Sequence, residues 1–411
     1  MTILEILSFL FAIAAAFGLI SSRWLKLPIT IGTMLLTVLV SVALMLGSTW
    51  VPEISDAAAS LLRQIDFGAL ILRGMLPLLL FAGAFLLDID ELAHEKLAIA
   101  LLSTVGTGIC FLLVALLMEG MSGGRIPWMQ CLIFGALISP TDPIAVLEML
   151  RRIGVSKHIE AQLAGESLFN DGVGAVLFIT MLGVAGGSTP TLGQVAGTLG
   201  LQAGGGILIG VIAAWLTSQL MRRVDSYQVD ILSTIALAFG CYALAQALHV
   251  SAPLEAVVAG IALRSFDRKL PKKQIAHDSV QGFWALIDEI QNSILFVLLG
   301  FEAMAIALNW RILLLGCAAI LSVNVVRLAA VAGLLALVCV CRPSHRSSTF
   351  ILTWGGLRGG LSIALALSVP EALGRSWMLG ATYLVVVFSI VVQGASMNWF
   401  LRRGATTQPA T

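Results

Sequence analysis

The chain has 411 residues, 58% of them hydrophobic and only 11% charged, with 24 Lys plus Arg against 23 Asp plus Glu and a net charge of +1. A soluble domain carries roughly 25% charged residues, so a soluble globule of this size is excluded; disordered chains are polar, and the balanced charge excludes a strongly basic nucleic-acid binder. What remains is an all-α polytopic membrane protein surrounded by lipid, because apolar outer surface is expected in a bilayer and helices satisfy their own backbones.

Residues 3–20 are apolar, with no preceding basic region or small-residue cleavage site, and read as a retained first span rather than a signal peptide. Apolar segments then predict about thirteen spans: 3–22, 28–48, 68–88, 97–118, 127–150, 161–186, 194–220, 230–249, 252–264, 284–307, 311–341, 348–369 and 377–401. Segment 252–264 is short, and 284–307 begins amphipathic. Basic residues set the orientation. With the N-terminus outside, the inside loops hold 17 of the 24, the outside loops hold only Arg63, Arg125, Arg311 and Arg375, and Arg73, Arg327 and Arg358 fall inside spans. Positive charge marks cytoplasmic loops, so the C-terminus of this multi-pass membrane protein is expected in the cytoplasm. The loop 264–283 reads as a basic amphipathic connector at the membrane surface, and 404–411 as a short cytoplasmic tail.

All six cysteines (110, 131, 241, 317, 339 and 341) lie in apolar runs and read as small packing residues, not as a disulfide framework or zinc site. The five histidines, 94, 158, 249, 277 and 345, lie in or near loops and read as ordinary exposed residues.

Ionisable groups inside spans are costly and mark function. In the fifth span, Ser139-Pro140-Thr141-Asp142-Pro143 places two prolines three apart. They remove two amide donors and unwind the helix around Thr141 and Asp142. Broken helices of this type form ion sites in secondary transporters. In the sixth span, Glu166 and Asn170 are i,i+4, as are Ser167 and Asp171, so all four share adjoining stripes of one helix. Two carboxylates this close repel unless one is protonated or a cation is shared. In the twelfth span, Gly355, Gly356, Gly359 and Gly360 surround Arg358, weakening the helix and admitting close backbone approach. Arg327, after Asn324 in the eleventh span, is a second buried cation. Two arginines against Asp142, Glu166 and Asp171 leave one carboxylate without a structural partner, the candidate carrier of ion and proton. Arg73 reads as a snorkelling side chain, Glu302 as a solvated residue near an outer helix end, and Asp288 with Glu289 as either an interfacial face or the wall of an ion access funnel.

The combination of Gly165-Glu166-Ser167-x-x-Asn170-Asp171-Gly172 with Thr141-Asp142-Pro143 and Gly356-Leu357-Arg358-Gly359 resembles the NhaP-type bacterial sodium/proton antiporters, in the class that includes the animal sodium/proton exchangers. The run Leu76–Asp90 also looks like the family's third span. The resemblance implies two inverted six-span repeats with crossed broken helices. It implies scaffold and dimerisation helices in 1–96 and 191–308, ion-carrying core helices in 97–190 and 309–403, and a homodimer. By residue, it implies Asp171 as the cation- and proton-binding carboxylate, Asn170 holding the site geometry, and Ser167 and Thr141 completing a sodium shell. Glu166 would pair with Arg327, and Asp142 with Arg358. Asn170 before Asp171, where electrogenic relatives have two Asp, implies electroneutral exchange of sodium or lithium for protons by elevator-like alternating access. No cofactor is implied beyond the transported ions. A potassium/proton antiporter of the same fold and a cation channel stay open. An intramembrane hydrolase is disfavoured, since no His lies in a span near Ser167.

Overall fold

The computed structural model describes residues 3–26, 28–47, 67–153, 156–187, 192–224, 226–268, 274–302, 304, 306, 309–341, 348–394 and 396–397. Sixteen α-helices are used below: α1 Ile3–Ile20, α2 Ile29–Gly47, α3 Leu76–Phe85, α4 Ile89–Leu101, α5 Thr107–Ser122, α6 Trp128–Ile138, α7 Ile144–Ile153, α8 Lys157–Ala185, α9 Leu192–Met221, α10 Tyr227–Ala247, α11 Ala252–Asp267, α12 Gln274–Glu302, α13 Trp310–Cys341, α14 Ser348–Trp354, α15 Gly360–Ser368 and α16 Arg375–Val387. There is no strand among the described residues. Nine helices among them are long and apolar enough to cross a membrane, with Ile29–Leu44 and Trp128–Ile138 shorter.

Leu201, Leu216, Leu232, Leu244 and Leu328 all project outward. A surface this apolar suits lipid rather than water. Short π-helical stretches interrupt or extend the regular helices at Ser21–Leu25, Leu70–Met75, Leu102–Gly106 and Phe388–Gly394. The third of these joins α4 and α5 into one body, Ile89–Ser122.

That body starts eight residues before the predicted span at 97. Asp88 caps it, accepting a hydrogen bond from the Asp90 amide at 3.0 Å, and Asp90 and Glu91 in the first turn favour the positive end of the helix dipole. Hydropathy reads this polar turn as loop, whereas capping chemistry makes it helix. The connector expected at 264–283 is partly helical too: α11 runs to Asp267 and α12 begins at Gln274. The predicted tail 404–411 lies outside the described residues, as do the side chains of Cys339 and Cys341.

Two helical bodies are split where the sequence placed prolines and glycines. The α6–α7 body breaks at Ser139–Pro143, and the α14–α15 body breaks at Gly355–Gly359. Helix α8 passes unbroken beside the first break, and α13 stacks on α14, α16 and α5. On the other side, α11 is enclosed by α9, α3, α10 and α8, and α12 lies on α2 and α3. The two breaks therefore meet in the interior, away from the lipid-facing surface.

Candidate functional site: the crossing of two broken helices

The proline break is an account of where backbone groups go once two amides are missing. In an unbroken helix the carbonyl of residue i accepts from the amide of i+4. Pro140 has no N–H for the Ala136 carbonyl, and the Ser139 hydroxyl takes its place at 2.9 Å. Pro143 has no N–H for the Ser139 carbonyl, and Arg358 Nη1 donates to it at 2.8 Å. The Ile144 amide, which would have served Pro140, turns to Asp142 Oδ1 at 3.1 Å. The Pro140 carbonyl is likewise taken by Arg358 Nη1, at 2.8 Å. A guanidinium thus sits at the C-terminal end of α6, where the helix dipole favours positive charge.

Arg358 does not form the expected ion pair with Asp142. The freed carbonyls of Ser139 and Pro140 already satisfy Nη1, and the Asp142 carboxylate is turned to cap α7. The Asp142 amide instead donates to the Leu357 carbonyl at 2.8 Å, a direct backbone link between the two breaks. Closeness here depends on glycine: a Cβ at Gly359 would fall onto the Asp142 carboxylate.

Around the second break, Arg327 of α13 makes a bidentate pair with Glu166 of α8. Its Nη2 donates to Oε2 at 2.8 Å, and its Nη1 to Oε1. The same Nη2 donates to the Leu352 carbonyl of α14 at 2.9 Å. Glu166 and Arg327 are both buried, and a Cβ at Gly356 would lie 2.6 Å from Arg327 Nε. One turn along, Asn324 Nδ2 donates to the Ile320 carbonyl at 2.8 Å, and its Oδ1 accepts from Gln393 at 2.7 Å.

Helix α8 reads the turn of the proline break. Asn170 Oδ1 accepts from the Thr141 amide at 3.1 Å, and its Nδ2 donates to the Thr141 hydroxyl at 2.7 Å. The Ser167 hydroxyl donates to the Thr141 carbonyl. All three side chains are buried. These are i,i+3 neighbours on α8, so one helix face fixes one unwound residue.

A cavity of about 770 Å³ reaches this crossing. It is lined by Asp142, Ser167 and Asp171 at the crossing, by Thr30 at the start of α2, and by Glu148, Asp288 and Glu289 from the middle of α7 and α12. The Thr30 hydroxyl donates to Glu148 at 3.3 Å across it. Asp171 is half-buried, and among the described residues it has no hydrogen-bond or ion-pair partner; Asp142 and Arg358 act on it electrostatically. Thr141 and Asn170 lie behind the cavity wall, engaged with each other. Oxygens of Asp171, Ser167 and Asp142 are therefore the ones presented to the cavity, and hard oxygen donors of this kind suit a hard cation.

Other charges depart from the sequence reading. Glu302, expected to be solvated, is 3% exposed. Glu255 was not counted among buried acids, yet it is fully buried and, among the described residues, neither carboxylate oxygen has a hydrogen-bond partner. The reason is helix contact: Gly210 of α9 lets α11 approach so closely that a Cβ there would lie 2.8 Å from the Glu255 carbonyl. The tally of three buried carboxylates against two arginines is therefore too short. The available signal was the four-spaced pair Gly206 and Gly210, which marks a face where another helix approaches. Arg73 is exposed on its π-helical turn. His158 is exposed as expected, with Nδ1 2.8 Å from Glu91 Oε2.

Comparison with known proteins completes the description. A family model described as sodium/hydrogen exchanger, transmembrane, matches residues 9–403. The Na(+)/H(+) antiporter NhaP of Pseudomonas aeruginosa is 37% identical over 99% of this chain and 98% of its own. The Na(+)/H(+) antiporter NhaH of Halobacillus dabanensis is 33% identical over 89% of this chain and 90% of its own. The solved structure of the sodium proton antiporter MjNhaP1 from Methanocaldococcus jannaschii superposes with a TM-score of 0.76 at 19% identity, over 97% of this chain and 98% of that one. At that identity the superposition speaks to fold alone.

Proposed function

The chain belongs to the sodium/hydrogen exchanger family, and on that premise we propose that it exchanges sodium for protons across the cytoplasmic membrane at Asp171. The observation that carries this reading is the state of that side chain. It lines a cavity at the crossing of two broken helices and has no partner among the described residues, while Glu166 is occupied by Arg327 and Asp142 caps α7. A carboxylate left vacant in such a setting takes either a proton or a cation.

Competition for that one carboxylate gives exchange. With a proton or sodium bound, the site is neutral and can pass an apolar barrier; a bare carboxylate faces a desolvation penalty of several kcal/mol, of order that for a buried ion. Ser167 and Asp142 contribute oxygens beside it, and Thr141, expected in the sodium shell, stays behind the cavity wall in the turn that Asn170 holds. Because residue 170 is Asn, one net charge changes at the site, so exchange is electroneutral. The core would comprise 97–190 and 309–403, moving as an elevator against a scaffold of 1–96 and 191–308. That scaffold carries the apolar outward face of α9, on which two copies associate as a homodimer. The distribution of basic loops supports an outside N-terminus and a cytoplasmic C-terminus.

The test is a proteoliposome assay of internal pH after pulses of sodium, lithium or potassium. Sodium and lithium should each drive proton movement without building a membrane potential. A response to potassium alone would refute the cation assignment, and a current proportional to flux would refute electroneutrality.

A further inference from the structure

Helix α12 changes character along its length. Its middle lines the cavity with Asp288, Glu289, Asn292 and Ser293. Its second half is an apolar plug: Leu295, Phe296, Val297, Leu298 and Leu299 are buried in one cluster with Ile363 and Ala364 of α15 and Val386 of α16. Leu295 presses on Gly360, where a Cβ would come 2.6 Å from its Cδ1. Leu295 and Leu361 also line the cavity, so the plug begins where the cavity ends.

Beyond the plug, roughly 20 Å along the helix from Glu289 at 1.5 Å per residue, lies Glu302. Its Oε2 is buried without a hydrogen-bond partner among the described residues, and so is the hydroxyl of Tyr383 on α16, on which the Glu302 carboxylate acts electrostatically. Ser41 of α2 donates to the Gly300 carbonyl at 2.9 Å, tying this end of α12 to the far end of α2, away from the cavity. Buried polar atoms left without partners are unfavourable and call for an explanation. Plain structural use does not explain these two atoms, because neither has a hydrogen-bond partner among the described residues. Their setting differs from that of Asp288 and Glu289 in one respect: the path past them is shut by the plug.

We propose that Glu302, with Tyr383, is the cation station of the second access path, on the face opposite the cavity. When the broken-helix core shifts along α12, Leu295 parts from Gly360 and Glu302 opens to water. It then draws partly hydrated monovalent cations toward Asp171 as Asp288 and Glu289 do from the other side. Helix α12 is thus acidic at both mouths and apolar between them. This inference rests on the exchange reading above.

Glu302→Gln keeps the shape and removes the charge. Sodium–proton exchange is measured in right-side-out and everted membrane vesicles, with sodium titrated on one face at a time. The half-saturating sodium concentration should rise about fivefold on the Glu302 face, the scale of one lost nearby charge, and stay unchanged on the cavity face. The double variant Asp288→Asn, Glu289→Gln should show the reverse. Tyr383→Phe, which removes only the hydroxyl, should give a smaller shift on the Glu302 face and serves if Glu302→Gln lowers the yield of folded protein. Wild-type vesicles lacking exchange would overturn the exchange reading and this inference together. Competent wild type with equal shifts on both faces, or none, overturns this inference alone.

Discussion

The two broken helices reach the same crossing by opposite chemistry. The Ser139–Pro143 break subtracts donors. It leaves carbonyls that must be served from elsewhere, and the Ser139 hydroxyl, Arg358 and Ser167 serve them. The Gly355–Gly359 break subtracts side chains. It keeps its amides but gives up volume, which lets Arg327 and Asp142 press against the bare backbone. One break is therefore rich in acceptors and the other is able to admit cationic and anionic neighbours at close range. Each is costly alone, and together each supplies what the other lacks: Arg358 from the glycine break fills the acceptors of the proline break.

This complementarity can be broken from either side. The largest effect is expected at the ion pair supporting the glycine break. Glu166→Ala strands the Arg327 guanidinium in the interior, and removing one partner of a buried pair costs about 3–5 kcal/mol; thermal melting in detergent should fall sharply, and an unchanged curve would show that the pair does not hold the core. Next is Arg358→Met, which leaves the Ser139 and Pro140 carbonyls without donors. Orphaned buried groups cost about 1–3 kcal/mol each, partly offset because a buried charge no longer has to be desolvated, so melting should fall by less than in Glu166→Ala, with exchange lost. Retained exchange in that variant would mean that the two breaks are independent. The smallest effect on stability is expected from Pro143→Ala. It restores an amide able to serve Ser139, so melting should shift by no more than about 1 kcal/mol in equivalent stability, while exchange slows because the unwound turn is no longer enforced. Full exchange activity in Pro143→Ala would argue that the break owes nothing to the missing donor.

Much of this arrangement was legible in the sequence because it is written in residues with local consequences. Two prolines three apart mark a break in any context, and four glycines around one arginine mark another. The i,i+4 pairs of Glu166 with Asn170 and Ser167 with Asp171 place four polar groups on adjoining stripes of α8 without any tertiary information. What escaped is what depends on neighbours. The resemblance implies an ion pair between Asp142 and Arg358; the backbone acceptors that the prolines free are the competitor that wins. Glu302 sits near a helix end and reads as solvated, and Glu255, near the start of the short span 252–264, was not counted at all. Their burial follows from how closely α9 approaches α11, and from the packing of α12 on α2 around Gly300. The early start of α4 escaped for a related reason, since a capped polar turn carries no hydropathy.

The central claim is that Asp171 alone, at the crossing, carries sodium one way and protons the other. The most direct test compares wild type with Asp171→Asn, purified to the same monodispersity and melting behaviour, in proteoliposomes that report internal pH. A sodium pulse should alkalinise or acidify wild-type vesicles according to the imposed gradient, and should leave Asp171→Asn vesicles at the level of protein-free controls. Sodium-driven proton flux at the wild-type rate in Asp171→Asn would contradict the account.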